Sequence, residues 1–258
     1  MNDFDVVIVG AGVAGCEAAW SLARAGVRTL LVTTSLDTVY NLAADSAQLD
    51  PPPGSLMAAA VTALATSTGT AGVGAAGGAA VRPQTDPVTV GSWALHRQVK
   101  QALEAEPNLH LLQSSVAGLL VTDGVVRGVS TWEGVNRYGA RVALCVGSFL
   151  RARLTIGSSV EAAGRLSEMA YDDLYDDLAS AGFEFERLEL EAPQVSGSLP
   201  YRVECMTFEK RELREEDCAL PRLAGLHAAG LCVEPAARYE TAALAGQRLA
   251  ECLKRPAS

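Results

Sequence analysis

The sequence predicts an α/β protein with a central parallel sheet, and three patterns near its beginning carry this prediction. Residues 6–9 form an uninterrupted apolar run, as expected for a parallel strand buried on both faces. A glycine-rich turn of the form GxGxxG follows at once, and small apolar residues then recur at helical spacing until Gly26. A second apolar run at residues 29–32 completes the strand, turn, helix, strand order of a Rossmann-like fold.

The glycine-rich turn predicts a dinucleotide-binding site. Gly10 would allow the tight turn, Gly12 would let the backbone approach a pyrophosphate, and Gly15 would let the helix pack closely on the strand. Ala14, in the same turn, belongs to the predicted site. The N-terminus of the following helix favours an anion through its free N–H groups and its dipole, and Glu17 in the first turn suits the same dipole.

The residues after the second strand differ from the simplest dinucleotide pattern. An Asp or Glu that binds ribose is expected about 20 residues past the glycines, but Thr33, Thr34 and Ser35 stand there, followed by Asp37. Hydroxyl groups can bond a ribose or a phosphate, and Asp37 could reach the same place or could simply form the turn. No arginine follows this strand, so NADP is the least favoured nucleotide.

Composition and charge limit the class of protein. A chain of 258 residues can form one large α/β domain, or a main domain with a small insert. Its 21 basic and 30 acidic side chains give a formal net charge of −9, which argues against a wide nucleic-acid-binding face. The acidic opening residues lead directly into a strand, and the six cysteines contain no CxxC pair. We therefore expect a cytoplasmic protein without a signal peptide, a membrane span or a metal site.

The middle of the chain predicts further helices, strands and a β-meander. Helices are expected at 56–65 and 92–103, and strands at 109–112, 116–122, 125–132 and 141–146, with a hairpin turn at 123–124. The glycine-rich residues 69–78 are interpreted either as flexible filler or as backbone lying against a flat ligand ring. His96 is expected to be a partly exposed residue on its helix.

A small inserted lobe is predicted at residues 166–222, so that residues 1–165 and 223–258 together form the main domain. The lobe is expected to contain an acidic helix at 167–180, followed by strands near 183–190 and 201–208.

The acidic helix of this lobe carries four aspartates that invite a metal or acid/base interpretation. They are Asp172, Asp173, Asp176 and Asp177. At this spacing, however, they are expected to form one solvated helix face, with Leu174 and Leu178 turned inward.

Several runs along the chain resemble the GidA/MnmG family. The matching runs are DVVIVGAGVAGCEAA from residue 5, TLLVT from 29, LDT from 36, VGSFL from 146, IG from 156, GR from 164, GLHAAG from 225 and YETAALAG from 239. That family comprises FAD-dependent enzymes that install the carboxymethylaminomethyl group on tRNA wobble uridine. The resemblance implies a Rossmann-like FAD/NAD(P)-binding fold with a central parallel sheet, a β-meander and a small inserted lobe.

Carried over by position, the resemblance implies FAD as the cofactor. The implied contacts are Gly10, Gly12 and Gly15 for the pyrophosphate, then Thr33, Thr34, Val116, Val146, Gly147 and Ser148 for the adenosine, and Gly230, Tyr239 and Glu240 for the flavin ring and its phosphates. Tyr239 and Glu240 could instead pack and cap the last helix.

The family's substrate chemistry is less fully matched. Its members carry a Ser-Cys-Asn-Pro segment whose thiol acts on the uracil, and counting on from Asp37 places Ala44 at that cysteine. The inserted substrate domain is shortened, and the C-terminal helical domain that grips tRNA and the partner GTPase would be missing. The resemblance thus implies tRNA as a partner, whereas these differences from the family argue against tRNA binding. Cys205 and Cys232 are the remaining candidate thiols, and we expect each to be buried and inert.

Three classes of function stay open at this point. The first is a flavoprotein oxidoreductase, in which FAD carries the redox chemistry, NADH or NADPH is a candidate reductant, and the substrate is a tRNA uridine or one derived from that activity. The second is an NAD-dependent dehydrogenase, although the closing run from Gly230 to Gly246 resembles one that holds a flavin. The third is a non-catalytic or regulatory flavin-binding protein. The sequence assigns no catalytic residue and permits a homo-oligomer.

Overall fold

The computed structural model describes residues 3–67, 87–191 and 199–254. The glycine-rich residues 69–78, and with them both interpretations of that stretch, lie outside the described residues. Among the helices that are described, none combines the length and the apolar character needed to cross a membrane.

A strand, a helix and a second strand follow one another at the beginning of the chain, as the sequence predicts. The strands are β1 (Phe4–Val9), β2 (Thr29–Thr33), β3 (Ser46–Leu49), β4 (Val88–Gly91), β5 (Leu109–Gln113), β6 (Val116–Thr122), β7 (Val125–Thr131), β8 (Asn136–Leu144), β9 (Arg153–Ile156), β10 (Ser159–Glu161), β11 (Ala163–Arg165), β12 (Glu168–Met169), β13 (Phe185–Glu191), β14 (Tyr201–Phe208) and β15 (Leu226–Ala228). The helices are α1 (Val13–Arg24), α2 (Leu56–Ser67), α3 (Ser92–Glu104), α4 (Asp172–Ser180) and α5 (Tyr239–Lys254).

The central sheet is mixed and mostly parallel. Its strand order is β5-β2-β1-β8-β7-β6, and β15 also pairs with β8. β1 lies between β2 and β8 and is parallel to both, with Ile8 opposite Leu31 on one side and Ala143 on the other. β6, β7 and β8 form the antiparallel meander, and Asp123 and Gly124 adopt positive φ in its hairpin turn. The α/β fold and its central sheet are therefore confirmed.

The two faces of β1 lie in two different hydrophobic clusters. Val6 and Ile8 pack with apolar residues of α1, α2, α3 and α5, whereas Val7 and Val9 pack with α4 and the meander. All four side chains are fully buried. Because alternate residues of a strand point to opposite faces, a continuous apolar run is what a strand covered on both sides requires.

A second sheet, antiparallel and of order β10-β9-β14-β13, lies outside the central one. Leu154 of β9 pairs with Val203 of β14, so this sheet includes residues on the N-terminal side of position 166. The division of the chain at 166 and 222 stays a prediction, and this pairing favours a lobe that begins near Arg153.

The acidic helix is shorter than the sequence predicts. Its start at 167 was wrong, because residues 168–169 form β12 and α4 begins at Asp172. Leu174 and Leu178 are fully buried, as predicted. Three of its four aspartates have partners: Asp172 pairs with Arg153, Asp176 pairs with Arg151, and Asp177 accepts a hydrogen bond from the backbone N–H of Leu119. Across the described residues, no group of three His, Cys, Asp or Glu side chains is arranged to hold a metal ion.

His96 differs from the sequence prediction. We expected a partly exposed side chain, but it is only 4% exposed, because α3 turns this position toward the core. Its Nδ1 lies 2.6 Å from the carbonyl oxygen of Val39, and its ring stacks against Trp93. His96 thus joins α3 to the segment that follows β2.

Candidate dinucleotide-binding site

Two of the three motif glycines are required by packing. Gly10 has φ +102°, and a Cβ atom there would lie 2.3 Å from the carbonyl oxygen of Cys145. A Cβ atom on Gly15 would lie 1.9 Å from the carbonyl oxygen of Gly10. Gly12 differs from both, because a Cβ atom there would have no heavy atom within 4 Å. No described residue excludes a side chain at Gly12, so the space beside it fits a ligand that approaches the backbone.

The N-terminus of α1 is suited to an anion. Gly12 is the N-cap residue, no side chain caps the helix, and its first turn carries no acidic residue. The first N–H groups of a helix have no partner within the helix, and the dipole favours negative charge there. Backbone groups at this end of α1 can therefore hold a pyrophosphate without help from a basic side chain.

An open cleft of about 920 Å³ lies at this helix terminus. It is bordered by the ends of β1, β2 and β8, by the turn after β15 and by the beginning of α5. Most of the predicted cofactor residues line it, namely Gly10, Gly12, Ala14, Thr33, Thr34, Val146, Gly147, Ser148, Gly230 and Tyr239.

Four predicted residues lie outside the wall of this cleft. Gly15 faces the backbone of Gly10, and Val116 is a buried residue at the start of β6. The Ser35 side chain accepts a hydrogen bond from the backbone N–H of Asp37, 3.2 Å away, and begins a short 3₁₀ turn. Glu240 accepts a hydrogen bond from the backbone N–H of Asp50.

Tyr239 connects the last helix to the segment after β2. The backbone N–H of Ala43 donates to the Tyr239 hydroxyl oxygen, 2.8 Å away, while the residue also lines the cleft. The structural role that the sequence left open for Tyr239 is therefore present, and its contact with a cofactor stays a prediction.

Asp37 is paired with Lys100 at 3.9 Å, and its side chain is 91% exposed.

Several residues of the cleft were not predicted as site residues. The Thr38 hydroxyl donates to one oxygen of Glu168, 2.9 Å away, and the Arg165 guanidinium donates to the other, 3.1 Å away. Glu168 is only 8% exposed, so this network joins β12 to the turn after β2. Thr38 and Arg165 each lie in a family-like run, LDT from 36 and GR from 164, but no local pattern links positions this far apart.

In the loop after β8, the ring of Phe149 packs closely against the backbone of Gly164. Gly147 has φ +56°, and the Ser148 hydroxyl donates to the carbonyl oxygen of Gly164, 3.2 Å away. A Cβ atom on Gly164 would lie 2.4 Å from the ring of Phe149, so the ring lies directly on that backbone. The loop therefore presents Gly147, Ser148 and Phe149 to the cleft.

Glu17 does not serve the α1 dipole in the way we expected. Its carboxylate is fully buried and accepts hydrogen bonds from the Tyr40 hydroxyl at 2.7 Å and from the backbone N–H groups of Leu56 and Met57 at 2.7 and 2.8 Å. Burial raises the pKa of Glu17, while these three donors lower it. The side chain thus caps the N-terminus of α2 from α1.

The two candidate thiols are buried, as predicted. Cys205 and Cys232 are both buried, and burial raises the pKa of Cys205 to about 12 and that of Cys232 to about 11. Neither thiol is ionised to a useful extent near neutral pH, so neither is a ready nucleophile.

The parallel strands, the glycine turn and the cleft place the protein in the Rossmann-like α/β class, many of whose members bind dinucleotides. The family model described as glucose inhibited division protein A matches residues 5–217. The chain belongs to this GidA family, as the sequence motifs predicted.

Curated relatives match the chain over only part of their own length. The tRNA uridine 5-carboxymethylaminomethyl modification enzyme MnmG of Chlamydia felis is 34% identical over 198 residues, which is 74% of this chain and 32% of that protein. The MnmG of Geobacillus thermodenitrificans is 33% identical over 205 residues, again 74% of this chain and 32% of the relative. The chain therefore spans about a third of the length of these relatives.

Two solved structures show how much of the fold is shared. The GidA-related protein of Thermus thermophilus is 40% identical with a TM-score of 0.80, and the match covers 97% of this chain and 98% of that one. Aquifex aeolicus GidA, at 16% identity, has a TM-score of 0.80 over 100% of this chain and 64% of its own, which shows a common fold.

Proposed function

We propose that this chain is an FAD-binding flavoprotein that acts as an FAD-dependent oxidoreductase. One observation carries the proposal: the N-termini of α1 and α5, from opposite ends of the sequence, line the same cleft at the carboxyl ends of parallel strands. Ligands of open α/β sheets bind at this edge, and helix N-termini hold their phosphates. Membership of the GidA family supports the choice of FAD among dinucleotides.

The pyrophosphate would be held by backbone groups of the turn from Gly10 to Ala14. Gly12 supplies open space, and the first N–H groups of α1 supply donors and a favourable dipole. Thr33 and Thr34, at the end of β2, would contact the adenosine ribose. The Thr33 hydroxyl donates to the carbonyl oxygen of Ser35 at 3.3 Å, so its oxygen keeps an acceptor site for a ribose hydroxyl.

The far end of the cleft would surround the flavin. Gly230 and Tyr239 would border the flavin ring and its phosphates, and Gly147 and Ser148 would contact the adenosine, since all four line the cleft. When bound, FAD would supply hydride and electron transfer. The protein's own contribution would be to orient the ring and to limit its exposure to water.

The substrate of this chain is part of our proposal and does not follow from its membership of the GidA family. The curated relatives are named as tRNA uridine modification enzymes, which makes a tRNA uridine the first substrate to test. Ala44, where family resemblance places a cysteine, lines a second cavity that adjoins the cleft through Thr38, Asn41, Arg165 and Glu168. A methyl group there supplies no nucleophile, so we propose an activity derived from that of the relatives. We also propose that the protein is cytoplasmic, that it forms a homo-oligomer, and that NADH or NADPH reduces its flavin.

Identification of the nucleotide that co-purifies with the protein tests the proposal. The nucleotide is released by heat denaturation and compared with FAD, FMN, NAD and NADP standards. We expect FAD at about one molecule per chain. NAD in its place would identify a dehydrogenase and overturn the proposal.

The rate of flavin reduction then separates an enzyme from a flavin-binding protein without activity. Holoprotein is mixed anaerobically with NADH or NADPH, with and without tRNA, and bleaching of the flavin absorbance is followed. Rapid reduction supports an oxidoreductase. Absence of reduction by either nucleotide, with or without tRNA, would favour a non-catalytic protein.

A further inference from the structure

Two cysteines outside the proposed cofactor site lie in contact. The Sγ atoms of Cys218 and Cys252 are 3.9 Å apart, and both thiols are free. Cys218 lies in the turn before β15, and Cys252 lies in the last turn of α5. A disulfide needs an S–S distance of about 2.05 Å, so the two sulfur atoms have to move about 2 Å closer. Rotation of the two side chains can supply a shift of this size.

An oxidant can reach this pair of thiols. All six cysteines lie within the described residues, and Cys252 alone among them is not buried. Cys218 lines an open cavity that shares Ala229 and Gly230 with the proposed cofactor cleft but contains no residue of β1 or β2. The other four cysteines have at most 6% of their surface exposed. Access therefore favours Cys252 as the first thiol to react, with Cys218 beside it.

The two elements that carry these thiols are held together by further contacts. The Arg248 guanidinium of α5 donates to the carbonyl oxygen of Glu215, and the Asp217 carboxylate accepts from Arg214 within the same turn. Cys218 itself has φ +57°, a left-handed conformation that is uncommon outside glycine. The backbone of Cys218 is fixed by the N–H of Ala228, which donates to its carbonyl oxygen at 2.9 Å. The sulfur atoms are therefore kept adjacent by the fold.

We propose that Cys218 and Cys252 are a peroxide-sensitive dithiol that forms a reversible disulfide between α5 and the turn before β15. The Cys252 sulfur attacks one peroxide oxygen, the O–O bond breaks, and a sulfenic acid and one water are formed. The Cys218 sulfur then attacks the Cys252 sulfur, the S–O bond breaks, and a second water leaves with the Cys218 proton. Two thiols lose two electrons in total, and one peroxide is reduced to two waters.

The disulfide would fix the C-terminal end of α5. The N-terminal end of the same helix lines the proposed cofactor cleft. Burial raises the pKa of the Cys218 thiol to about 12, and the adjacent Cys252 contributes to this increase. A thiol with a raised pKa is a poor first nucleophile, which agrees with initial reaction at Cys252. The inference does not depend on FAD, because neither sulfur atom belongs to the cleft wall.

The experiment treats the purified protein with a small excess of hydrogen peroxide and maps its thiols. We expect the number of free thiols, measured in denaturant, to fall from six to four and the intact mass to fall by about 2 Da. Tryptic digestion without reductant should yield one cross-linked species that joins residues 215–222 to residues 249–254. Dithiothreitol should restore both thiols.

Two variants serve as controls. Cys252→Ser should lose the cross-linked species, whereas Cys205→Ala, which removes a buried thiol elsewhere, should keep it. In the wild type, peroxide should also raise the midpoint of thermal unfolding, and this increase should be absent in Cys252→Ser. Six free thiols after treatment, a disulfide between other cysteines, or oxidation of Cys252 to a sulfinic acid without a cross-link would each overturn the proposal.

Discussion

Gly246 of α5 lies directly against the backbone of Ala14 in α1. A Cβ atom at Gly246 would be 2.3 Å from the Ala14 carbonyl oxygen and 2.7 Å from the Cβ atom of Glu17. The two helices therefore touch through their backbones. Because of this contact the beginning of α5 reaches the cleft at the beginning of α1, and the C-terminal helix becomes part of the candidate site.

Gly246→Ala should destabilise the protein. In an exposed helix the same change would stabilise it by up to about 1 kcal/mol, but here the added methyl group meets backbone that has to move, at a cost of about 1–3 kcal/mol. The free energy of unfolding, measured with urea, checks this. Leu244→Ala, at a 51% exposed position of the same helix, is the control and should change stability by less than about 0.5 kcal/mol. Equal effects of the two variants would contradict the close packing of α1 and α5.

Gly12→Ala and Gly15→Ala should separate ligand binding from folding. At Gly12 the added methyl group meets no described atom of the protein, and the poorer N-cap offsets the gain in backbone entropy, so stability should change by less than about 1 kcal/mol. The same methyl group occupies the space proposed for the pyrophosphate, so FAD affinity should fall about tenfold or more, which is about 1.4 kcal/mol. At Gly15 the methyl group would lie 1.9 Å from a carbonyl oxygen, and stability itself should fall.

Urea unfolding of the apoprotein and fluorescence titration with FAD distinguish these two outcomes. If Gly12→Ala binds FAD as tightly as the wild type, the pyrophosphate does not lie at Gly12.

Glu17→Gln should destabilise the protein by about 1–3 kcal/mol. The carboxylate accepts from three donors, the Tyr40 hydroxyl and two backbone N–H groups, and the amide nitrogen of glutamine cannot accept. At least one buried donor is then left without a partner. Glu251→Gln, on the exposed side of α5, is the matched control and should have little effect, because its pairing with Lys254 is at the surface. A neutral result for Glu17→Gln in urea unfolding would show that this cap is dispensable.

His227 should make stability depend on pH. Burial lowers the pKa of this histidine below its usual 6.5, so the folded protein binds a proton less readily than the unfolded chain does. The stability contributed by neutral His227 is therefore complete above the unfolded pKa and is lost as the pH falls toward the folded pKa. The wild type should lose up to about 1.4 kcal/mol per pH unit in that window.

His227→Asn removes this titration. It can keep the hydrogen bond to the carbonyl oxygen of Asp217 that Nδ1 makes at 3.3 Å. Urea unfolding of both proteins from about pH 7.5 to about pH 5 should show a steeper decline for the wild type. Parallel curves would mean that His227 is solvated and titrates normally.

The sequence predicts the strand, turn and helix at the beginning of the chain because their signals are local. The apolar run, the three glycines and the helical spacing all lie within about one βαβ unit. Strands such as β3, β9 and β12 were missed, since segments of two to four residues carry no periodicity and form only through pairing with distant partners. The burial of His96 and the capping of α2 by Glu17 likewise depend on segments brought together by the tertiary fold.

The residues of the candidate site likewise divide into those predicted from local motifs and those brought together only by the tertiary fold. The glycine turn and the ends of β2 and β8 were predicted from motifs, whereas the network of Thr38, Arg165 and Glu168 joins residues that no local pattern connects. Ser35 and Glu240 stand near the cleft in sequence, but their side chains are engaged by backbone N–H groups outside its wall.

Equilibrium titration of the FAD-free protein with FAD tests the central claim most directly. Quenching of flavin fluorescence should saturate at one FAD per chain, and the protein should acquire a yellow colour that survives gel filtration. A protein that remains colourless and shows no saturable uptake would contradict the account.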